Sequence, residues 1–217
     1  MPAGVLAAIF DLDGVLTSTS ARHEQSWREA AVHFDFPVTS ESLRATRSVP
    51  RASSLTALLD HAGVWLDQKT RDAVMSFKNA RYRDLIANLR PSDAFPGAHD
   101  KLAQCRALGL RIGVASASQN ARIVLERLNL LDLVDYVADS RNAAPKPSAE
   151  IYGLTCAALG ARPANAICIE DGAPIIANLR AENMYTVGIG PEDLGANEQA
   201  RDIAHWDVAA TVARLRS

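Results

Sequence analysis

Hydrophobic positions along the chain follow two different patterns. The first is a short unbroken run closed by polar residues. Val5-Leu6-Ala7-Ala8-Ile9-Phe10 stops at Asp11, residues 110–115 stop at Ser116, 135–138 at Asp139, 166–169 at Glu170, and 185–189 form a fifth run. Apolar runs of this length read as strands buried on both faces, as in a parallel sheet. Between them, residues 98–108, 119–129, 148–160 and 174–183 carry apolar positions at helical spacing. Alternation of strand and helix predicts an α/β fold, a Rossmann-like doubly wound parallel sheet with helices on both faces.

Residues 18–91 break that rhythm. They hold amphipathic patterns at 22–35, 39–47, 51–61 and 67–89 and no strand-like run. This predicts an all-helical domain inserted after the first strand. Its exit is marked by Pro91 and the turn signal Phe95-Pro96-Gly97. The expected domains are therefore an α/β core of residues 1–17 and 92–217 and a helical domain of residues 18–91.

Composition narrows the function class. At 217 residues, 48% hydrophobic and 22% charged, the chain is long enough and apolar enough to bury a core. A net charge of −2 leaves no basic excess for a phosphate backbone, so nucleic acid is not an expected partner. The apolar run ending at Asp11 falls far short of the ~20 residues a membrane helix needs, and no signal-peptide pattern precedes it. The three cysteines, Cys105, Cys156 and Cys168, have neither zinc spacing nor a disulfide framework. A cytoplasmic protein with no membrane partner is expected.

In open α/β sheets the ligand sits at the carboxyl ends of the strands. The polar residues there are Asp11 and Asp13 after the first strand, Ser116 after the second, and Glu170 and Asp171 after the fourth. Lys146 stands between Pro145 and Pro147 just ahead of an expected helix, one of four lysines against nineteen arginines. Singly, each has an ordinary explanation: Asp171 or Ser116 as a helix cap, Asp11-Leu12-Asp13-Gly14 as a tight turn, Lys146 as a solvated surface residue. Jointly they are more specific. Four carboxylates at one edge would repel one another and call for a divalent cation. A lysine and a hydroxyl beside them suit the oxygens of a phosphoryl group.

That order resembles the haloacid dehalogenase superfamily of phosphotransferases over nearly the whole chain. Phe10-Asp11-Leu12-Asp13-Gly14-Val15-Leu16-Thr17 is similar to its first motif, Val114-Ala115-Ser116-Ala117-Ser118 to its second, Lys146-Pro147 to its third and Ile169-Glu170-Asp171 to its fourth. The helical insert matches the subclass with a helical cap. Within it the β-phosphoglucomutase family is most similar. The likeness rests on Ser116-Ala117-Ser118-Gln119-Asn120, on Thr19 and His23 after the first motif, on Arg51-Ala52-Ser53-Ser54-Leu55, on Lys78-Asn79 ahead of Tyr82, and on Gly188-Ile189-Gly190.

The resemblance implies roles. Asp11 is the nucleophile that becomes an aspartyl phosphate, and Asp13 the acid and base. Lys146 and Ser116 steady the phosphoryl oxygens. Mg²⁺ is held by Asp11, Glu170, Asp171 and the Asp13 carbonyl. Arg51, Ala117, Ser118 and Asn120 bind the substrate, with Arg51, Ser118 and Asn120 on its second phosphate. Thr19, His23 and Lys78 govern when Asp13 is in place. The chain departs from the family at Ser18, Ser48, Pro50, Gln119, Gly172 and Ile175. Pro50 lacks an N–H, Gln119 lacks the charge of the lysine it replaces, and Ile175 is expected to lack the close helix approach that a glycine allows. The implied activity is a Mg²⁺-dependent mutase interconverting β-glucose 1-phosphate and glucose 6-phosphate through a bisphosphate, acting as a monomer on a small phosphosugar. The alternative is a small-molecule phosphatase of the same fold. A phospho-acceptor domain switched at Asp11 would also use paired acids with Lys and Ser, but has no use for an inserted helical domain.

Overall fold

The structure is a computed structural model that describes residues 6–46 and 49–216. Val5 of the first expected strand and Ser48 lie outside them. The chain divides into two compact units: one runs to Ser18 and resumes at Arg90, and the other is Thr19–Leu89. In chain order, β1 (Ala7–Phe10) is followed by α1 (Ser20–His33), α2 (Ser40–Arg44), α3 (Arg51–Ala62) and α4 (Gln68–Ile86). Then come α5 (Ala98–Ala107), β2 (Arg111–Val114), α6 (Ala121–Arg127), β3 (Tyr136–Val137), α7 (Glu150–Ala158), β4 (Ala166–Glu170), α8 (Ala173–Ala181), β5 (Tyr185–Ile189), β6 (Glu198–Ala200) and α9 (Val208–Arg216).

The first unit is a six-stranded sheet of order β3-β2-β1-β4-β5-β6, and every pairing is parallel. With its flanking helices this is the expected α/β architecture. β1 and β4 are buried along their whole length, which is why their sequences are unbroken apolar runs. Ile9, Cys168, Tyr152, Ile175 and Leu179 belong to one core cluster that packs α7 and α8 against the sheet. All three cysteines are free and buried.

Two elements lie beyond the sequence expectations. β6 reads Glu-Gln-Ala, too short and polar to show a strand pattern. It pairs with β5, and its Glu198 side chain accepts a hydrogen bond from the Thr211 hydroxyl at 2.7 Å and from Arg214 at 3.1 Å, both on α9. Just before α9, Trp206 donates to Thr211 at 2.9 Å and packs edge-on to Phe10 of β1.

The helical unit has its own core of Trp27, Ala30, Phe36, Leu43, Leu55, Leu58, Leu59 and Val74. α1 packs along α4. Asp67 accepts from the Thr70 N–H at 2.7 Å and so starts α4, while Gly63 ends α3 in the left-handed region at φ 64°. Among the described residues, no helix is long and apolar enough to cross a membrane.

Candidate active site

The strand order reverses at β1, which has β2 on one side and β4 on the other. Such a switch point opens a crevice at the carboxyl edge. Register fixes what stands there. Phe10 is level with Val114 and Ile169, so the next residues out are Asp11, Ala115 and Glu170. Main-chain bonds hold this edge: Asp11 N–H to Ile169 C=O at 2.9 Å, and Ala115 N–H to Phe10 C=O at 2.9 Å. Three neighbouring strands thus deliver Asp11, then Ser116, then Glu170 and Asp171 to one place.

Lys146 enters from the segment before α7. Its ammonium donates to Asp11 Oδ1 at 2.8 Å and to Glu170 Oε1 at 2.6 Å. All three side chains are almost fully buried, at 7% exposure or less. Lys146 is therefore no surface lysine: burial opposes its charge, and the Asp11 and Glu170 carboxylates overcome that and hold it protonated. Burial pushes the Asp11 carboxyl up; Lys146 works against this, Glu170 and Asp171 add to it, and the result is about 8. Burial and then Glu170 raise Asp171 to about 6. The Tyr152 hydroxyl donates to the same Glu170 oxygen at 2.8 Å, and burial with the nearby carboxylates keeps this phenol protonated. Asn178 of α8 donates to the Pro147 carbonyl at 2.9 Å, tying the lysine segment to the helix that follows Asp171.

Asp11, Glu170 and Asp171 bring carboxylate oxygens within 4.8 Å of one another. That donor set fits a hard divalent cation such as Mg²⁺. Gly14 makes room for it. Its φ is 99°, and a Cβ there would fall 1.8 Å from Asp171 Oδ2, so only glycine lets that carboxylate in. The loop carrying Asp13 is closed by Gly14 N–H to Thr17 C=O at 2.8 Å and by the Thr17 hydroxyl to the Asp93 carbonyl at 2.7 Å. Asp13 is half-buried there, and its charge contributes to raising Asp171.

After β2 the chain curls on itself. Ser116 Oγ accepts from the Ser118 N–H at 3.1 Å, and Ser118 Oγ accepts from the Asn120 N–H at 3.2 Å. Ser116 and Asn120 are buried, Ala117 and Ser118 half-buried, and Gln119 exposed. Ile175 stands in the first turn of α8. It turns into the core, α8 still begins directly after Gly172, and Asp171 stays with the other acids. A Cβ at Gly172 would lie 3.2 Å from the Ile175 side chain. Pro50 precedes α3 and needs no N–H there; its carbonyl accepts from Ser54.

The remaining sequence-derived residues gather inside the helical unit. The buried Thr19 hydroxyl and Tyr82 hydroxyl are 2.9 Å apart. His23 stacks on the Tyr82 ring at 3.9 Å, and its Nδ1 lies 2.7 Å from the Lys78 ammonium. Burial, then Lys78 and Arg51, lower the His23 pKa, so the imidazole is neutral, accepts at Nδ1 and carries its hydrogen on Nε2. Lys78 is buried with its ammonium 5.1 Å from the Trp27 ring centre and 4.8 Å from that of Tyr82. Arg51 opens α3, half-buried, and burial lowers its pKa.

Residues 5–181 match the haloacid dehalogenase-like hydrolase family. The chain belongs to that family. It is 33% identical over 187 residues to the β-phosphoglucomutase of Bacillus subtilis, covering 85% of this chain and 83% of the relative. It is 29% identical to hexitol phosphatase B of Escherichia coli, over 86% and 84% of the two chains. A β-phosphoglucomutase structure from Clostridium difficile superposes with a TM-score of 0.90 at 28% identity, covering 98% of this chain and 97% of that one. The protein is thus a β-phosphoglucomutase-like enzyme of the family. Tyr152 escaped the sequence reading. It stands on an expected helix, and an aromatic on an apolar face looks like core until its hydroxyl is seen to meet Glu170.

Proposed function

We propose that the protein is a Mg²⁺-dependent phosphosugar mutase interconverting β-glucose 1-phosphate and glucose 6-phosphate. The observation that carries the chemistry is the buried Lys146 ammonium bridging Asp11 and Glu170 at 2.8 and 2.6 Å, with Asp171 alongside. The likeness to β-phosphoglucomutases supports the choice of reaction.

In this reading an Asp11 carboxylate oxygen attacks phosphorus, a P–O bond forms, and the bond from phosphorus to the donor oxygen breaks. Asp13, as the acid, protonates the departing oxygen. It then takes the proton from the 6-hydroxyl of β-glucose 1-phosphate as that oxygen attacks the aspartyl phosphate. The product is the 1,6-bisphosphate. Turned end for end, it returns its C1 phosphate to Asp11 and leaves as glucose 6-phosphate. Lys146 and the Ser116 hydroxyl offer donors to the phosphoryl oxygens. Asp11, Asp171, Glu170 and the Asp13 carbonyl would hold Mg²⁺, which would supply positive charge between the nucleophile and an anionic phosphate. Arg51, with Ala117, Ser118 and Asn120, is assigned to the sugar phosphate, and Thr19, His23 and Lys78 to the control of Asp13.

A second reading has support of its own. The neutral, exposed Gln119 weakens the case for a second phosphate, and the relatives include a phosphatase. A phosphatase would pass the aspartyl phosphate to water. One assay separates the two: β-glucose 1-phosphate with a trace of the 1,6-bisphosphate, following glucose 6-phosphate and free phosphate together. The mutase reading expects transfer to exceed hydrolysis by at least about 100-fold, ~2.7 kcal/mol of barrier. Equal rates overturn it in favour of the phosphatase.

A further inference from the structure

Glu170 is unusually well supplied with donors. Oε1 accepts from the Lys146 ammonium at 2.6 Å and from the Tyr152 hydroxyl at 2.8 Å, which fills both of its lone-pair positions. Oε2 accepts the Asp171 N–H at 3.0 Å and keeps one position. The carboxylate can swing about its last bond, and what fixes it is the pair of donors on Oε1. Lys146 alone would fix it poorly, because the ammonium is shared with Asp11 at 2.8 Å. Tyr152 is shared less: its hydroxyl is 3.5 Å from the Lys146 ammonium and 2.8 Å from Glu170. It is also completely buried, on a helix packed into the core, so its oxygen is held in place.

We infer that Tyr152 is a positioning residue that locks Oε1 of Glu170 and so turns Oε2, beside Asp171, toward the cation. The hydroxyl carries this role and the ring does not. The ring serves separately, with the Lys146 ammonium 5.1 Å from its centre. Phenylalanine would keep the ring and leave Lys146 as the one donor on Oε1, drawing the ammonium from Asp11 toward Glu170. Glu170 would then hold its cation-facing oxygen loosely, and the cation site would lose definition. This inference rests on the proposed Mg²⁺ site, and not on whether the phosphoryl group goes to sugar or to water.

The test is a calorimetric titration of the full-length protein with Mg²⁺ alone, without substrate. Wild type, Y152F, E170Q and the double variant are compared, with circular dichroism to establish folding. Loss of one hydrogen bond to a charged group should weaken Mg²⁺ binding by Y152F about 10-fold, ~1.4 kcal/mol. In the E170Q background the same change should add less than twofold, because Tyr152 acts through Glu170. Turnover should fall in kcat while KM stays within twofold. If Y152F does not fold, Y152M replaces it: it removes the hydroxyl and leaves the Glu170 ligand unchanged, with the same loss expected. A hydroxyl that merely satisfies a buried acceptor would lower the melting temperature and leave Mg²⁺ affinity alone. Affinity within twofold of wild type in the folded variant, or full additivity with E170Q, overturns the inference. Absence of Mg²⁺ binding by the wild type overturns the metal site itself and the inference with it.

Discussion

Replacing Lys146 by methionine removes one charge from the centre and little volume. The ammonium lies 2.8 Å from one carboxylate and 2.6 Å from another. At an effective dielectric constant of ~20 each contact amounts to roughly 6 kcal/mol of gross attraction, against a cost of several kcal/mol for burying the ion. Breaking a buried pair from one side costs about 3–5 kcal/mol. Here the loss is capped, because Asp11 already stands at about 8 and takes up a proton once the lysine is gone. Stability should fall by ~3 kcal/mol, the lower end of that range. Turnover should fall further. The phosphoryl group loses a buried cationic donor worth about 10²–10³ in rate. The assay is kcat for β-glucose 1-phosphate at saturating Mg²⁺, with a denaturant melt of the same preparation. A folded Lys146→Met variant that retains more than a tenth of wild-type kcat would refute the placement of Lys146 in the reaction.

Gly14→Ala should weaken Mg²⁺ binding at least about 10-fold by titration, since its φ of 99° and the 1.8 Å approach to Asp171 leave no place for a methyl group; unchanged affinity would mean that Asp171 holds no metal. Asp11 at about 8 and Asp171 at about 6 both stand above the ordinary 3.8, so the metal-free native state holds protons that the unfolded chain releases. Their contribution to stability is complete below pH ~4 and is lost as pH rises through 6 and then 8, so the metal-free melting temperature should fall from pH 5 to pH 8 and Mg²⁺ should raise it more at pH 8. A Mg²⁺ effect equal at the two pH values would count against that assignment. Arg51→Ala should cost sugar-phosphate turnover about 2–5 kcal/mol in kcat/KM and spare acetyl phosphate, which has no second end to hold. Equal damage to both substrates would make Arg51 a support of the fold.

The parts of the fold that were legible in the sequence are those whose burial is uniform. β1 and β4 are enclosed on both faces, and their apolar runs say so. β6 could not be read, because Glu198-Gln199-Ala200 is short and polar, and its pairing with β5 is backed by side-chain contacts of Glu198 with Thr211 and Arg214 that no local pattern encodes. At the site, Asp11, Ser116, Glu170 and Asp171 were readable by their place at strand ends, where register brings them together, and Lys146 by its place between two prolines ahead of a helix. Tyr152 was not, because its importance lies in one hydroxyl contact that no spacing encodes. Ile175 differs from the family pattern, and its side chain is buried in the core cluster.

β1 carries a consequence for how the protein is made. It pairs with residues 111–114 on one side and 166–169 on the other, so its neighbours are synthesised long after it. The helical unit is contiguous in sequence and can gather its own core as soon as it leaves the ribosome. The first strand cannot; it must wait, solvated, until most of the chain has emerged. A nascent chain that has not reached Lys146 offers Asp11 no lysine partner, and one that has not reached Asp171 lacks part of the acidic cluster. The acidic cluster is thus completed only after three quarters of the chain has been made, and a chain terminated ahead of Asp171 lacks it.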